Sequence, residues 1–90
     1  MQQVHATETL SNGMTVMYTD MGVIYTANGR QFEACGEYDS GEAWIDGEHY
    51  CYERDDEEVL LTDVRTGEVV YTFEDTDEGW ANFAQQQLSK

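Results

Sequence analysis

Acidic side chains dominate the chemistry that this chain can perform. Its 90 residues include 19 Asp and Glu against four Lys and Arg, which gives a formal net charge of −15. The acids are unevenly placed, since residues 1–32 hold two of them and residues 33–78 hold the other 17. Unpaired carboxylates are almost never buried, so this charge must lie on the surface, where self-repulsion destabilises the compact state. A basic partner, a salty environment or bound cations would offset that repulsion.

The acidic band, which we define as residues 33–58, is the strongest candidate for an interaction site. Residues i and i+2 of a strand project from one face about 6.6–6.8 Å apart, which is close to the spacing of successive phosphates along a nucleic-acid strand. A basic DNA- or RNA-binding groove would recognise such an array as it recognises phosphates. A solvated face that only keeps the protein dissolved is the alternative. The predicted partner-binding residues are Glu42, Trp44, Asp46, Glu48, Tyr52, Glu53, Asp55, Asp56, Glu57 and Glu58.

The aromatic residues of the acidic band are Tyr38, Trp44, Tyr50 and Tyr52. Strand alternation sends half of them to the core, and the others would anchor an interface, because Tyr and Trp dominate binding hot spots. Simple packing of the sheet is the alternative for each. The four consecutive acids at 55–58 predict a loop or the start of a strand; alternatively they form a hot spot that seats against arginines of a partner.

Metal-binding patterns are incomplete. Cys35, His49 and Cys51 are soft ligands, but a structural zinc site needs four ligands with tighter spacing, and the fourth would have to be a carboxylate or His5. The segment 75–79 begins like a calcium-binding EF-hand loop and departs from it at the third ligand pair. We therefore predict no metal and no cofactor. Without a secretory signal the two cysteines are expected to be reduced, with a disulfide as the alternative.

Several function classes are disfavoured by motifs that the sequence lacks. It has no nucleophile elbow, no Gly-rich phosphate loop and no H-E-x-x-H, so we predict that it is not an enzyme. No apolar run is long enough to span a membrane, and the N-terminus carries no secretory signal. Its negative charge repels nucleic acid and anionic membranes alike. We expect one cytoplasmic domain over residues 1–90.

The elements that would position the acidic band are hairpins. Asn28-Gly29 between two alternating runs predicts a type I′ turn, which pairs Ala27 with Arg30, Tyr25 with Phe32 and Val23 with Ala34. Asp46-Gly47 predicts a second hairpin. Arg65-Thr66-Gly67 predicts a third, with Val59, Leu61, Val69, Tyr71 and Phe73 on one face. The spacing predicts an α+β fold with an antiparallel meander of five or six strands.

The last segment changes to a helical period. Asp75 is predicted to cap a helix, with Glu78 three residues later. Trp80, Phe83, Ala84 and Leu88 recur at helical spacing, so we expect a C-terminal helix of about 10–13 residues packed on the sheet. Residues 1–11 are compatible with a short helix, an edge strand or a frayed arm.

At the level of class, the chain resembles the small, strongly acidic proteins that bacteriophages and mobile elements use against host defences, which include DNA-mimic anti-restriction and anti-CRISPR proteins. Size, a single domain, the acid-rich middle and the single Lys carry the resemblance. It implies a nucleic-acid mimic in the host cytoplasm that blocks a basic nucleic-acid-binding protein, a CRISPR–Cas effector complex in particular. The alternatives are a halophile-adapted acidic domain and an immunity protein for a basic toxin nuclease.

Overall fold

The computed structural model describes residues 4–37 and 39–89. These form strands β1 (Val4–Thr9), β2 (Thr15–Thr19), β3 (Gly22–Ala27), β4 (Arg30–Glu37), β5 (Ser40–Ile45), β6 (Glu48–Asp55), β7 (Glu58–Asp63) and β8 (Val69–Glu74), followed by helix α1 (Asp77–Leu88). The strands make one sheet in the order β1 to β8, and each neighbouring pair is antiparallel. The α+β meander with a C-terminal helix is therefore confirmed.

The sheet has eight strands, so the expected number of five or six was wrong. The three predicted hairpins account for β3 to β8, and the two further strands are β1 and β2, which precede them. Asn28 and Gly29 both have positive φ, at 55° and 75°, and the three cross-strand pairs predicted for this hairpin are all present. Asp46 and Gly47 repeat the geometry, with φ of 48° and 90°.

Strand β1 is the element whose type the sequence left open. All six of its residues are exposed, and it is held to β2 by backbone pairing such as Thr9 with Thr15. A strand that buries no side chain shows no apolar alternation, which is the signal that identifies strands in a sequence. Residues 1–3 of the ambiguous segment lie outside the described residues.

The core lies between α1 and one face of the sheet, which we call the inner face. Met14, just before β2, is buried in this core. The buried side chains from strands β2 to β7 are Val16, Tyr25, Phe32, Ala34, Ala43, Ile45, Tyr52, Val59 and Leu61. From the helix, Trp80, Phe83, Ala84 and Leu88 are buried against them, as the helical spacing predicted. Tyr71 and Phe73 of β8 pack on this core, whereas Val69 is 52% exposed, because the β7–β8 register shifts after Leu61.

Helix α1 has 12 residues, within the predicted length, but its N-cap was predicted wrongly. Thr76 is the cap, and its Oγ1 accepts a hydrogen bond from the Gly79 backbone N–H at 2.9 Å. The carboxylate of Asp75 instead accepts a hydrogen bond from the Trp80 indole Nε1, also at 2.9 Å. Both residue types are good caps, but the Asp75 carboxylate binds the Trp80 indole and the Thr76 hydroxyl caps the helix.

Candidate functional site: the acidic outer face of the sheet

The face of the sheet opposite α1, which we call the outer face, is formed by the alternate residues of each strand. Strand alternation and the pairing register place six described carboxylates on it, and five of the six are exposed. They are Glu33, Glu42, Glu53, Asp55, Glu58 and Glu74. Glu33, which is half-buried, accepts a hydrogen bond from the Gln31 Nε2 at 3.3 Å.

A diagonal line of glutamates crosses the outer face, with one residue on each strand from β4 to β8. Its members are Glu33, Glu42, Glu53, Glu58 and Glu74. From β4 to β7, each glutamate lies two residues away from the direct partner of the one before it. Diagonal neighbours of this kind are about 7–8 Å apart. The line therefore presents carboxylates at a spacing similar to that of phosphates along a nucleic-acid strand.

The line ends in a row of three carboxylates that face one another directly. Asp55 of β6 pairs with Glu58 of β7, and Glu58 pairs with Glu74 of β8. Like charges directly opposite each other destabilise a sheet. Among the described residues, none of the three forms an ion pair with a basic side chain. Two repulsive contacts are therefore built into this end of the sheet.

Basic side chains lie away from this surface. The Arg54 guanidinium is on the inner side, 5.8 Å from the centre of the Trp80 ring. Arg65 lies in the β7–β8 turn, where its backbone N–H and guanidinium bind the Asp63 carboxylate and lower its pKa. Within the described strands, no Lys or Arg occupies an outer-face position. The charge of this face is therefore almost entirely negative.

One aromatic cluster interrupts the carboxylates. The His49 imidazole stacks on the Trp44 indole, with ring centres 5.1 Å apart and planes 9° apart. The His49 Nε2 lies 3.2 Å from the Glu42 Oε1. Trp44 is half-buried and is the direct cross-strand partner of Glu33. Its position among carboxylates of the outer face is the one that an anchoring residue would need.

The remaining predicted site residues lie at hairpin ends or in the core. Asp46 and Glu48 are at the exposed end of the β5–β6 hairpin. Asp56 and Glu57 form the two-residue β6–β7 turn, in which Asp56 has a φ of 54°. Tyr52 is only 6% exposed and packs edge-on against Trp80, so it does not fit the outward anchoring role. The side chain of Glu37, and Tyr38, lie outside the described residues.

Two features of the site were not predicted. Glu74 lies outside the acidic band, although its place next to the inward Phe73 marks it as outward-facing. The directly opposed row also depends on the β6–β7 hairpin, whose Asp56-Glu57 turn carries no Asn-Gly or Asp-Gly signal, so the sequence did not predict that Asp55 pairs with Glu58.

The soft ligands do not assemble a metal site. Cys35 and Cys51 are not joined by a disulfide and lie on either side of Glu42 in the pairing register. Over the described residues, no group of three or more His, Cys, Asp or Glu is placed to hold a metal ion. The EF-hand-like segment instead supplies the cap and first turn of α1.

Comparisons with protein-family models, with curated proteins and with solved structures give no match for this chain. Among the described residues, no helix has the length and apolar character needed to cross a membrane.

Proposed function

We propose that this protein is a stoichiometric inhibitor that occupies the basic nucleic-acid-binding site of another protein. The supporting observation is the row formed by Asp55, Glu58 and Glu74. A protein that needs only to be soluble can have a surface on which positive and negative charges are interspersed. Three carboxylates that face one another destabilise the sheet, and features that lower stability in this way concentrate at functional sites.

The outer face would bind through arginines and lysines of the partner. Carboxylates accept bidentate hydrogen bonds from Arg, which provide geometry as well as strength. Long-range attraction would speed association and make it sensitive to salt. The half-buried Trp44 would add a short-range contact of the kind that dominates hot spots. The hairpin-end acids Asp46, Glu48, Asp56 and Glu57 would extend the contact beyond the strands.

The proposed target is a host defence complex, specifically a CRISPR–Cas effector in the cytoplasm of a phage-infected cell. This choice follows the class-level resemblance to small acidic anti-defence proteins. The test uses purified effector complexes loaded with guide RNA and a labelled target DNA, with the protein added from equimolar amounts upwards. We expect it to compete with target DNA and to suppress cleavage, and to do so less effectively as salt is raised.

A triple variant, Glu53→Gln, Glu58→Gln and Glu74→Gln, tests whether the outer face is responsible. A matched control, Asp20→Asn, Glu68→Gln and Glu78→Gln, removes three exposed charges elsewhere and reaches the same net charge. Inhibition should fall sharply in the first variant and little in the second. Equal loss in both variants would show that net charge alone matters, and an absence of competition with any effector would reject this target.

The two alternatives make different predictions. A halophile-adapted domain would unfold when salt is lowered far below molar concentration, whereas the inhibitor should stay folded; circular dichroism at low salt separates them. An immunity protein for a basic toxin nuclease would use the same outer face. It would protect nuclease-treated DNA in a toxin assay and leave CRISPR–Cas effectors active.

A further inference from the structure

A groove of about 480 Å³ lies on the inner side of the sheet, between strands β2 and β3 and the first turn of α1. This volume is within the range of sites that bind small ligands, roughly 300–1,000 Å³. Its walls combine aromatic rings with carboxylates. The residues that matter here are Tyr18, Tyr25, Trp80, Glu8, Asp75 and Asp77.

One aromatic–carboxylate pair in the groove already holds a guanidinium from the chain itself. The Cζ of Arg54 lies 5.8 Å from the centre of the Trp80 ring, and its Nε lies 3.5 Å from the Asp75 Oδ2. The other oxygen of Asp75 accepts the Trp80 indole hydrogen bond at 2.9 Å. The charge of Asp75 is therefore matched within the protein.

The groove contains a second group of aromatic and acidic side chains, which has no guanidinium of the described residues beside it. It consists of Tyr18, Tyr25, Glu8 and Asp77. Arg54 is the only basic residue among the described ones that line the groove, and neither Glu8 nor Asp77 forms an ion pair within the described part of the chain. Burial, followed by the charges of Glu8 and Asp77, raises the pKa of the Tyr18 phenol. Two unmatched carboxylates thus act on the same ring.

We propose that this part of the groove binds an arginine side chain of a partner protein. A guanidinium is planar, stacks on aromatic faces and forms forked hydrogen bonds with carboxylates, and it is less strongly hydrated than an ammonium. Tyr18 is 44% exposed and offers such a face at the groove's rim, while Glu8 and Asp77 are exposed carboxylates beside it. Arg54 on Trp80 is the internal precedent for this arrangement.

The proposal goes beyond the proposed function, because the groove and the outer face lie on opposite sides of the sheet. The probe is arginine capped as N-acetyl-arginine methylamide, titrated into ¹⁵N-labelled protein and followed by the Trp80 indole N–H and the Tyr18 and Tyr25 amides. We expect the NMR chemical shifts of these groups to change with added capped arginine until they reach a plateau. Capped citrulline, which has nearly the same shape and no charge, should give no such change.

A double variant, Glu8→Gln and Asp77→Asn, tests the carboxylates. It should weaken binding of capped arginine roughly two- to fivefold for each charge removed. The control, Glu68→Gln and Glu78→Gln, removes two exposed charges outside the groove lining and should bind as the wild type does. Far-UV circular dichroism of both variants checks that the fold is intact.

Three results would overturn the proposal. Equal shifts with citrulline would show that the guanidinium charge is not recognised, and equal affinity for capped lysine would show that arginine is not selected. Undiminished binding to the groove variant would place the site elsewhere. The outer-face triple variant should retain arginine binding while losing inhibition, so failure of the groove and failure of the proposed function are distinguishable.

Discussion

Replacing Glu58 with Gln is expected to make the protein more stable. Glu58 is the middle member of the opposed row, with Asp55 directly across on one side and Glu74 directly across on the other. The amide keeps the shape and the polarity of the side chain and removes its charge. One substitution therefore relieves both repulsive contacts while leaving the backbone pairing in place.

The size of the effect follows from the geometry. Each directly opposed like-charge pair destabilises a sheet by roughly 0.2–1 kcal/mol, so relieving two should raise the free energy of unfolding by about 1 kcal/mol at low salt. For a domain of 90 residues, this corresponds to a rise in Tm of roughly 4–8 °C. At about 1 M salt the Debye length falls to about 3 Å, so most of the gain should disappear.

The measurement is thermal and urea unfolding, followed by circular dichroism, at about 0.01 M and about 1 M salt. Glu53→Gln is the matched control. It removes the same charge from the same face, but the residues directly opposite Glu53 are Ser40 and Leu60, which are uncharged. Its nearest carboxylates on the neighbouring strands are diagonal ones, so its stabilisation at low salt should be less than half as large.

Equal stability of Glu58→Gln and Glu53→Gln at low salt, or a difference that persists in high salt, would show that the opposed charges do not destabilise the sheet. Although Glu58→Gln should be more stable than the wild type, it should inhibit less well in the inhibition assay. A variant that is both more stable and fully inhibitory would remove the link between the opposed row and binding.

Two further predictions concern the helix and the core. Thr76→Ala should lower the free energy of unfolding by about 1 kcal/mol, because the Gly79 N–H loses its cap; Thr76→Ser should restore it, and equal urea midpoints for all three proteins would contradict the assignment. Burial, with Tyr18 and Asp77 adding to it, raises the pKa of the Tyr25 phenol. Above about pH 10 the unfolded chain therefore loses a proton that the folded one keeps, and stability should fall by about 1.4 kcal/mol per pH unit. Tyr25→Phe should flatten this decline in urea titrations between about pH 9 and about pH 11, and an unchanged slope would show that Tyr25 does not cause it.

Short sequence patterns predicted the elements whose conformation depends on neighbouring residues, namely the tight turns and the helix. The Asn28-Gly29 turn set a register that the structure reproduces pair by pair, because two consecutive positive φ angles leave few alternatives. The helix was predicted because Trp80 and Phe83 recur at its period. Strand β1 could not be identified, since an edge strand with every side chain exposed is specified by its backbone partner and not by its own pattern.

The candidate site was predictable in composition and not in arrangement. A band of carboxylates is visible in the sequence, but the diagonal line is a product of four hairpin registers taken together. Tyr52 was placed in the interface because it lies among acids, whereas alternation with Glu53 directs it to the core. The contact between Arg54 and Trp80 joins residues far apart in the chain, so no local sequence pattern predicts it.

The order of the sheet also has a consequence for synthesis. Each strand pairs with the one just before it, so hairpins can form one after another as the chain leaves the ribosome, and contacts between near neighbours in sequence favour rapid folding. The helix follows all eight strands, yet it contacts residues as early as Asn28, whose Nδ2 donates a hydrogen bond to the Leu88 carbonyl. Until the helix leaves the ribosome, the apolar inner face of the growing sheet is exposed to solvent. During this interval repulsion between chains would oppose their association, because 13 of the 19 acidic residues lie within residues 1–58.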